Sequence, residues 1–250
     1  MKNKILFSLL STFLFSILFI NTPAFAAETT DSLINLQVGQ SGDLSSSVEI
    51  FAIITLLSFL PAIVITMTCY VKIVIVLSLT RQALGVMTAP PNQVITGLAL
   101  IVTMFVMAPV AQNIYNDAYL PYKDGKASFE ETVGIAEKPL KKFMVDNADE
   151  NHIKMAAKLA DVKIDKKEDV PFLVATLANI ITQTQDALGM GVLIMAAFVV
   201  IDMIVAAVLM LLGMIMLPPN LISLPIKIIT FLAAGGYELI IEILVQGIKV

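Results

Sequence analysis

Tryptophan is absent from the 250 residues, and cysteine and histidine occur once each. The lone Cys69 sits inside an apolar run, which excludes a disulfide framework. The lone His152 falls in a charged stretch, reads as a solvated residue, and leaves no basis for a His-based metal site or a Ser/His/Asp triad. No H-E-x-x-H, G-x-S-x-G or G-x-x-x-x-G-K-[ST] pattern occurs. Asp186 and Asp202 lie 16 residues apart with no motif to make them an aspartyl pair. The net charge of −4 offers nothing basic to a nucleic acid. Catalysis and bound cofactors therefore find no residues to carry them. Without tryptophan, any aromatic belt at a membrane interface rests on the five tyrosines.

What the chain does hold is apolar: 58% hydrophobic residues, 13 methionines and a mean hydropathy of +0.88, the composition of an integral membrane protein. Residues 1–26 read as a secretory signal. Lys2 and Lys4 give a positive start, Ile5 to Ile20 an apolar core, and Ala24-Phe25-Ala26 the small residues before a cut. Residues 27–48 are a polar leader rich in Ser, Thr and Gly. Residues 49–116 form a first helical hairpin. Its apolar runs, 50–79 and about 93–115, are separated by Pro90, Pro91 and Asn92, and Pro90 disfavours helix at Ala89. Residues 117–170 break the pattern: from 117 to 169, 10 basic and 12 acidic residues mark a soluble insert. The spacing of Leu140, Phe143 and Met144, then Ile153, Ala156, Ala157 and Ala160, predicts small amphipathic helices there. Residues 171–250 form a second hairpin, moderately apolar over Phe172 to Leu188, strongly so over Met190 to Leu217, and apolar again from Leu221.

The fold class is thus an all-α membrane protein with two long helical hairpins separated by a charged, soluble helical insert. Both hairpins bend at Pro-Pro-Asn, in "APPNQV" (89–94) and "GMIMLPPN" (213–220). With the mature N-terminus outside, four simple spans put both bends at the cytoplasm and the insert outside. Arg81 beside the first bend agrees with the positive-inside rule.

Charges inside the apolar runs stand out. Each costs about 2.5–3.5 kcal/mol at the centre of a lipid-facing helix. Lys72 lies nine residues from Arg81 and can be read as snorkelling. Asp202 has 15 uncharged residues before it and 24 after, so it is expected to be buried against protein or to line a polar cavity. Opposite sign and scarcity make Lys72 its candidate partner. Gly189, Gly191, Ala196, Ala197, Ala206 and Ala207 allow helices to approach closely, and Pro61 and Pro109 need neighbours to satisfy freed backbone groups. Both features favour a tightly packed oligomer.

Met190, Met195, Met203 and Met210 read as gap filler. Met214 and Met216 differ, lying between Gly213 and Pro218 at a turn. Flexible thioethers there can serve either as core filler or as a deformable seal.

The stretch from Met67 to Val110, with R-x-A-L-G and P-P-N-Q-V, strongly resembles the FliP family of flagellar export-gate proteins. So does the stretch from Pro171 onward, with I-D, G-M-x-M-x-P-P and S-L-P-x-K. The signal peptide and sizeable insert look like the flagellar branch rather than its virulence-secretion relatives. The resemblance implies a subunit of a homo-oligomer, a pentamer, joined by FliQ-like and FliR-like membrane subunits and other export-apparatus membrane components. It implies a place in the inner membrane at the flagellar basal body, where unfolded flagellar export substrates cross. It further implies a pore gasket at Met214, Ile215 and Met216, with Gly213 as hinge and Pro218, Pro219, Pro90 and Pro91 as bends. It implies that Asp202 is buried between helices of a cone raised largely out of the bilayer.

Some positions depart from the family's pattern. Ile215 replaces a frequent third methionine. Thr182 to Ala187 replaces a Ser-Glu-Leu-Lys-like run, Gly235-Gly236-Tyr237 replaces Asp-Gly-Trp, and Met87 and Thr88 stand where the family has glutamines. Each change removes polar groups that could pair between subunits. Two other classes compete with the export gate: a solute or ion transporter using Lys72, Asp202 and Glu242 as a relay, and a scaffold that assembles a pore without lining it.

Overall fold

The computed structural model describes residues 54–55, 58–59, 61–86, 89–164, 166–214 and 216–249. The expected signal peptide and polar leader, together with Met87, Thr88 and Ile215, lie outside the described residues. All regular structure among the described residues is helical. From Pro61 onward the helices are α1 (Pro61–Met67), α2 (Tyr70–Ala83), α3 (Asn92–Lys123), α4 (Phe129–Asn147), α5 (Glu150–Leu159), α6 (Phe172–Leu211), α7 (Pro219–Ala233) and α8 (Gly236–Gln246).

The first apolar run is not one straight helix: α1 and α2 meet at a 79° bend. Thr68 explains the break. Its hydroxyl donates to the Val64 carbonyl and accepts the Tyr70 N–H, offering the backbone a local alternative to the helical ladder. Beyond the Pro-Pro bend, α3 runs without a break past residue 116 to Lys123. The change from apolar to charged sequence therefore does not coincide with a helix end. A π-helical turn at Tyr115–Tyr119 marks it instead, with the two tyrosine rings stacked 5.3 Å apart.

In the insert, Ser128 and Glu131 form a reciprocal capping box that starts α4. Asp149 caps α5 by accepting the Asn151 N–H at 2.7 Å. The apolar stripes expected from spacing are the faces that pack: Phe143, Met144, Ile153, Ala156 and Ala157 are buried, and α4 and α5 both lie on α6.

At 40 residues, α6 is the backbone of the fold. Its length of about 60 Å is twice the hydrocarbon thickness of a bilayer. The change from moderately to strongly apolar sequence near Gly189 falls inside this one continuous helix. Its two halves differ sharply. The first buries Val174, Ala175, Ala178, Asn179, Thr182, Gln183 and Ala187 against α2 and the insert. The second buries only Gly191, Phe198, Val205 and Leu209 and leaves most of its apolar side chains uncovered within the chain. The close helix contact the sequence anticipates is made by one glycine. A Cβ on Gly191 would stand 2.1 Å from Leu79 Cδ1, whereas nothing lies within 4 Å of Gly189. Ala196, Ala197 and Ala207 are exposed. The last apolar run is likewise two helices, α7 and α8, bent by 60° at Ala234–Gly235. By length and apolarity α3 and α6 can each cross a membrane, and the bent pairs α1–α2 and α7–α8 can add to them.

Candidate functional site at the two helical bends

The second bend is built from a glycine stop and a proline start. Gly213 has φ +75°, a left-handed conformation that costs any other residue strain. Its N–H donates to the Met210 carbonyl at 3.1 Å, and the Met214 N–H donates to Leu209 at 3.0 Å. Those two bonds are the Schellman arrangement that closes a helix. Pro218 then caps α7 and Pro219 takes its first turn, where a missing N–H removes nothing the helix needs. The loop between is short and fixed at both ends, and the Leu217 N–H reaches the Met214 carbonyl at 3.3 Å. Two of its side chains stand out from the chain: Met216 is 96% exposed and Met214 41%.

The first bend is tied by Arg81. Its Nη1 donates to the Pro90 carbonyl at 3.1 Å and to Asn92 Oδ1 at 2.7 Å, so the guanidinium at the end of α2 holds both the proline turn and the start of α3. Asn92 is explained by this bond, whereas Pro91 precedes the helix as its cap residue.

A buried ion pair joins the bends. Lys227 Nζ of α7 donates to Asp202 Oδ2 of α6 at 2.6 Å and to the Ala83 carbonyl at 3.2 Å. Ala83 ends α2, where carbonyls lack helical partners and a cation is favoured. Three helices therefore meet on one ammonium. The other carboxylate oxygen, Asp202 Oδ1, is buried with no hydrogen-bond partner within bonding distance among the described residues. Beside it lies a cavity of about 420 Å³ lined by Gly85, Met195, Asp202, Asn220, Ser223 and Lys227.

Lys72 is not the partner of Asp202. It is buried, 4% exposed, and its Nζ lies 3.0 Å from Asp186 Oδ2. Asp186 and Asp202 are about 24 Å apart along α6. The sequence supplies three cations, Lys72, Arg81 and Lys227, and two acids to α2, α6 and α7, but sign alone does not pair them. Packing decides: α2 and the insert both lie against α6, and the contact of α2 with α6 sets Lys72 beside Asp186. Glu242, the third member of the relay considered above, accepts from Gln246 on its own helix at 3.1 Å. These groups do not form a chain.

His152 is not simply solvated either. It is half-buried, with Nδ1 2.8 Å from Thr182 Oγ1. The same hydroxyl accepts the Asp149 N–H at 2.9 Å and donates to the Ala178 carbonyl at 2.8 Å. Thr182 thus docks the insert onto α6. Nearby, Asn147 Nδ2 donates to the Lys249 carbonyl at 2.7 Å and its Oδ1 accepts the Lys249 N–H at 2.9 Å. The stretch 182–187 therefore has Thr182 and Asp186 engaged within the chain.

Asp186, Thr182, Asn147 and Lys227 carry these joints, and sequence alone assigned none of them this role. Lys227 could have been found as the one cation within the last apolar run before Lys249. Thr182 and Asn147 give no such signal, since an isolated Thr or Asn in a helix is ordinary.

The helices, their apolar outer faces and the paired internal charges define an all-α membrane protein. The FliP family model matches residues 53–244. The flagellar biosynthetic protein FliP of Pectobacterium carotovorum is 41% identical over 210 residues, covering 84% of this chain and 81% of that protein. That of Bacillus subtilis is 41% identical over 208 residues, covering 82% and 93%. A third, from Buchnera aphidicola of Baizongia pistaciae, is 37% identical over 227 residues and is covered over 63% of its length. The chain belongs to the FliP family, and so to the membrane proteins of flagellar biosynthesis and export.

Proposed function

We propose that the chain is a pore-forming subunit of the flagellar protein export gate, with Met214, Ile215 and Met216 as its gasket. The observation that carries this is the 96% exposure of Met216 at the tip of a bend whose backbone is fixed on both sides. A core methionine would be covered. A methionine held out on a rigid turn is placed to pack against something other than its own chain. Thioethers are soft and unbranched, so a ring of them closes around side chains of differing shape and closes again when these leave.

A gasket needs a ring, and the reading therefore includes a homo-oligomer, a pentamer by resemblance, with FliQ-like and FliR-like subunits. The uncovered second half of α6, where Leu193, Met203 and Leu211 are at least two-thirds exposed, supplies apolar surface for such neighbours. The Asp202–Lys227–Ala83 joint and the Arg81 hook keep each loop at a set height by tying α2, α3, α6 and α7 together. Translocation is driven from elsewhere, and the substrates are unfolded flagellar subunits crossing the inner membrane at the basal body. The Lys72, Asp202 and Glu242 relay of a transporter gains no support from side chains that pair separately.

The test is a strain lacking the gene, complemented by the wild type or by Met214→Ala with Met216→Ala. The deletion should lack hook and filament while solute uptake stays normal. The alanine pair should restore assembly of the complex but leak small ions. Normal filaments with lost uptake in the deletion, or a tight membrane in the alanine pair, would reject the reading.

A further inference from the structure

Four parts of the chain meet around one small cavity. Cys69 and Lys72 come from the start of α2, Asn147 from the end of α4, Gln183 and Asp186 from α6, and Gly247 from the tail that follows α8. The cavity measures about 20 Å³. About 10–15 Å³ of such space holds one water molecule, so there is room for a single small guest.

Two of the lining side chains have hydrogen-bonding capacity left over, and both are more than nine-tenths buried. Gln183 is 4% exposed; its Nε2 donates to Asn179 Oδ1 at 3.0 Å, and its Oε1 is buried with no partner among the described residues. Lys72 is 4% exposed. Its ammonium carries three N–H donors and makes one hydrogen bond among the described residues, to Asp186 Oδ2 at 3.0 Å. A buried ammonium short of acceptors and a buried carbonyl short of a donor both cost stability. The two needs are opposite, and that narrows what can meet both. Chloride accepts from Lys72 but has no proton for Gln183 Oε1. A metal cation suits the oxygen but is repelled by the ammonium. A neutral molecule of one heavy atom that both accepts and donates suits each side.

We infer that the cavity is a binding site for one ordered water, which accepts from Lys72 Nζ and donates to Gln183 Oε1. The water ties α2 to α6 at the place where α4 and the C-terminal tail also close. It has a route to solvent. Asn147, Asp186 and Gly247 line both this cavity and a polar one of about 400 Å³, and the Asp186 side chain is 48% exposed.

The experiment is a density map of the purified full chain, at a resolution that shows ordered water, for the wild type, Gln183→Leu and Gln183→Glu. The wild type should show one peak within hydrogen-bond distance of both Lys72 Nζ and Gln183 Oε1. Gln183→Leu removes the acceptor and should lose the peak. Gln183→Glu keeps an acceptor there and should keep the peak, since Asn179 Nδ2, which has no partner among the described residues, can turn to meet the other carboxylate oxygen. Thermal unfolding in detergent gives a second reading that needs no map. Lys72→Met and Gln183→Leu should each lower Tm by roughly 2–4 °C, and the pair by less than the sum, because the water is already lost with either anchor. A dry cavity in the wild type, Lys72 Nζ bonded directly to Gln183 Oε1, a peak that exchanges for bromide, or a strictly additive pair would overturn the inference.

Discussion

Lys227 lies 2.6 Å from Asp202, and each is where the other's charge becomes affordable in an apolar helix. Lys227 is the more deeply buried, its side chain 7% exposed against 29%. Removing either partner strands a charge where water does not reach freely. Asp202→Asn and Lys227→Gln should therefore couple by about 1–3 kcal/mol in a double-mutant cycle read from thermal unfolding in detergent. Asp202→Asn and Lys72→Gln, on separate pairs, should add to within about 0.5 kcal/mol. Strong coupling in the second cycle and none in the first would contradict the pairing.

Gly191 sets how closely α2 and α6 approach. Gly191→Ala places a methyl 2.1 Å from Leu79 Cδ1 and 3.0 Å from its Cβ, so Leu79 or the helix must shift. The expected loss is about 1–3 kcal/mol of overpacking. Leu79→Ala should restore much of it in combination, whereas Gly189→Ala, facing open space, should cost nothing.

Asn147 clasps the backbone of Lys249 with two hydrogen bonds. Asn147→Leu keeps the branched shape and removes both bonds along with the Nδ2 donation to the Phe143 carbonyl, each worth about 1 kcal/mol net. Amide exchange at Lys249 should accelerate, and α4 should stay folded because its capping box is untouched.

The box gives the insert a pH dependence. Glu131 accepts the Ser128 backbone N–H at 2.8 Å, and that bond, with the Ser128 side chain, holds the carboxyl below its ordinary pKa of 4.5. A lowered folded-state pKa means stabilisation that is complete above 4.5 and is lost as pH falls through the lowered value. The protection factor at the first turn of α4, exchange corrected for its intrinsic pH dependence, should therefore fall on acidification below 4.5, and Glu131→Gln should flatten that response.

Much of the fold is legible in hydropathy and punctuation. The charged insert, its amphipathic helices and the two Pro-Pro-Asn bends follow from local pattern, because capping, proline geometry and helical spacing are local effects. Long-range pairing is not local. Lys72 meets Asp186 through the packing of α2 on α6, and no window of sequence contains that information. The same holds for Thr182 and His152, ordinary residues made into a joint by packing. Gly213 is legible in part: the glycine marks the end of α6, and the structure adds that the turn exposes Met216 rather than burying it.

The most direct test of the gasket is a stalled substrate. A flagellar subunit fused to a domain that resists unfolding is lodged in the exporter of cells carrying Met216→Cys, and a thiol crosslinker is added. Leu193→Cys, on the uncovered face of α6, serves as the comparison. The account predicts a substrate adduct at residue 216 that forms only while the substrate is stalled, and none at 193. Labelling of residue 216 by lipid-phase reagents with no substrate adduct would contradict it.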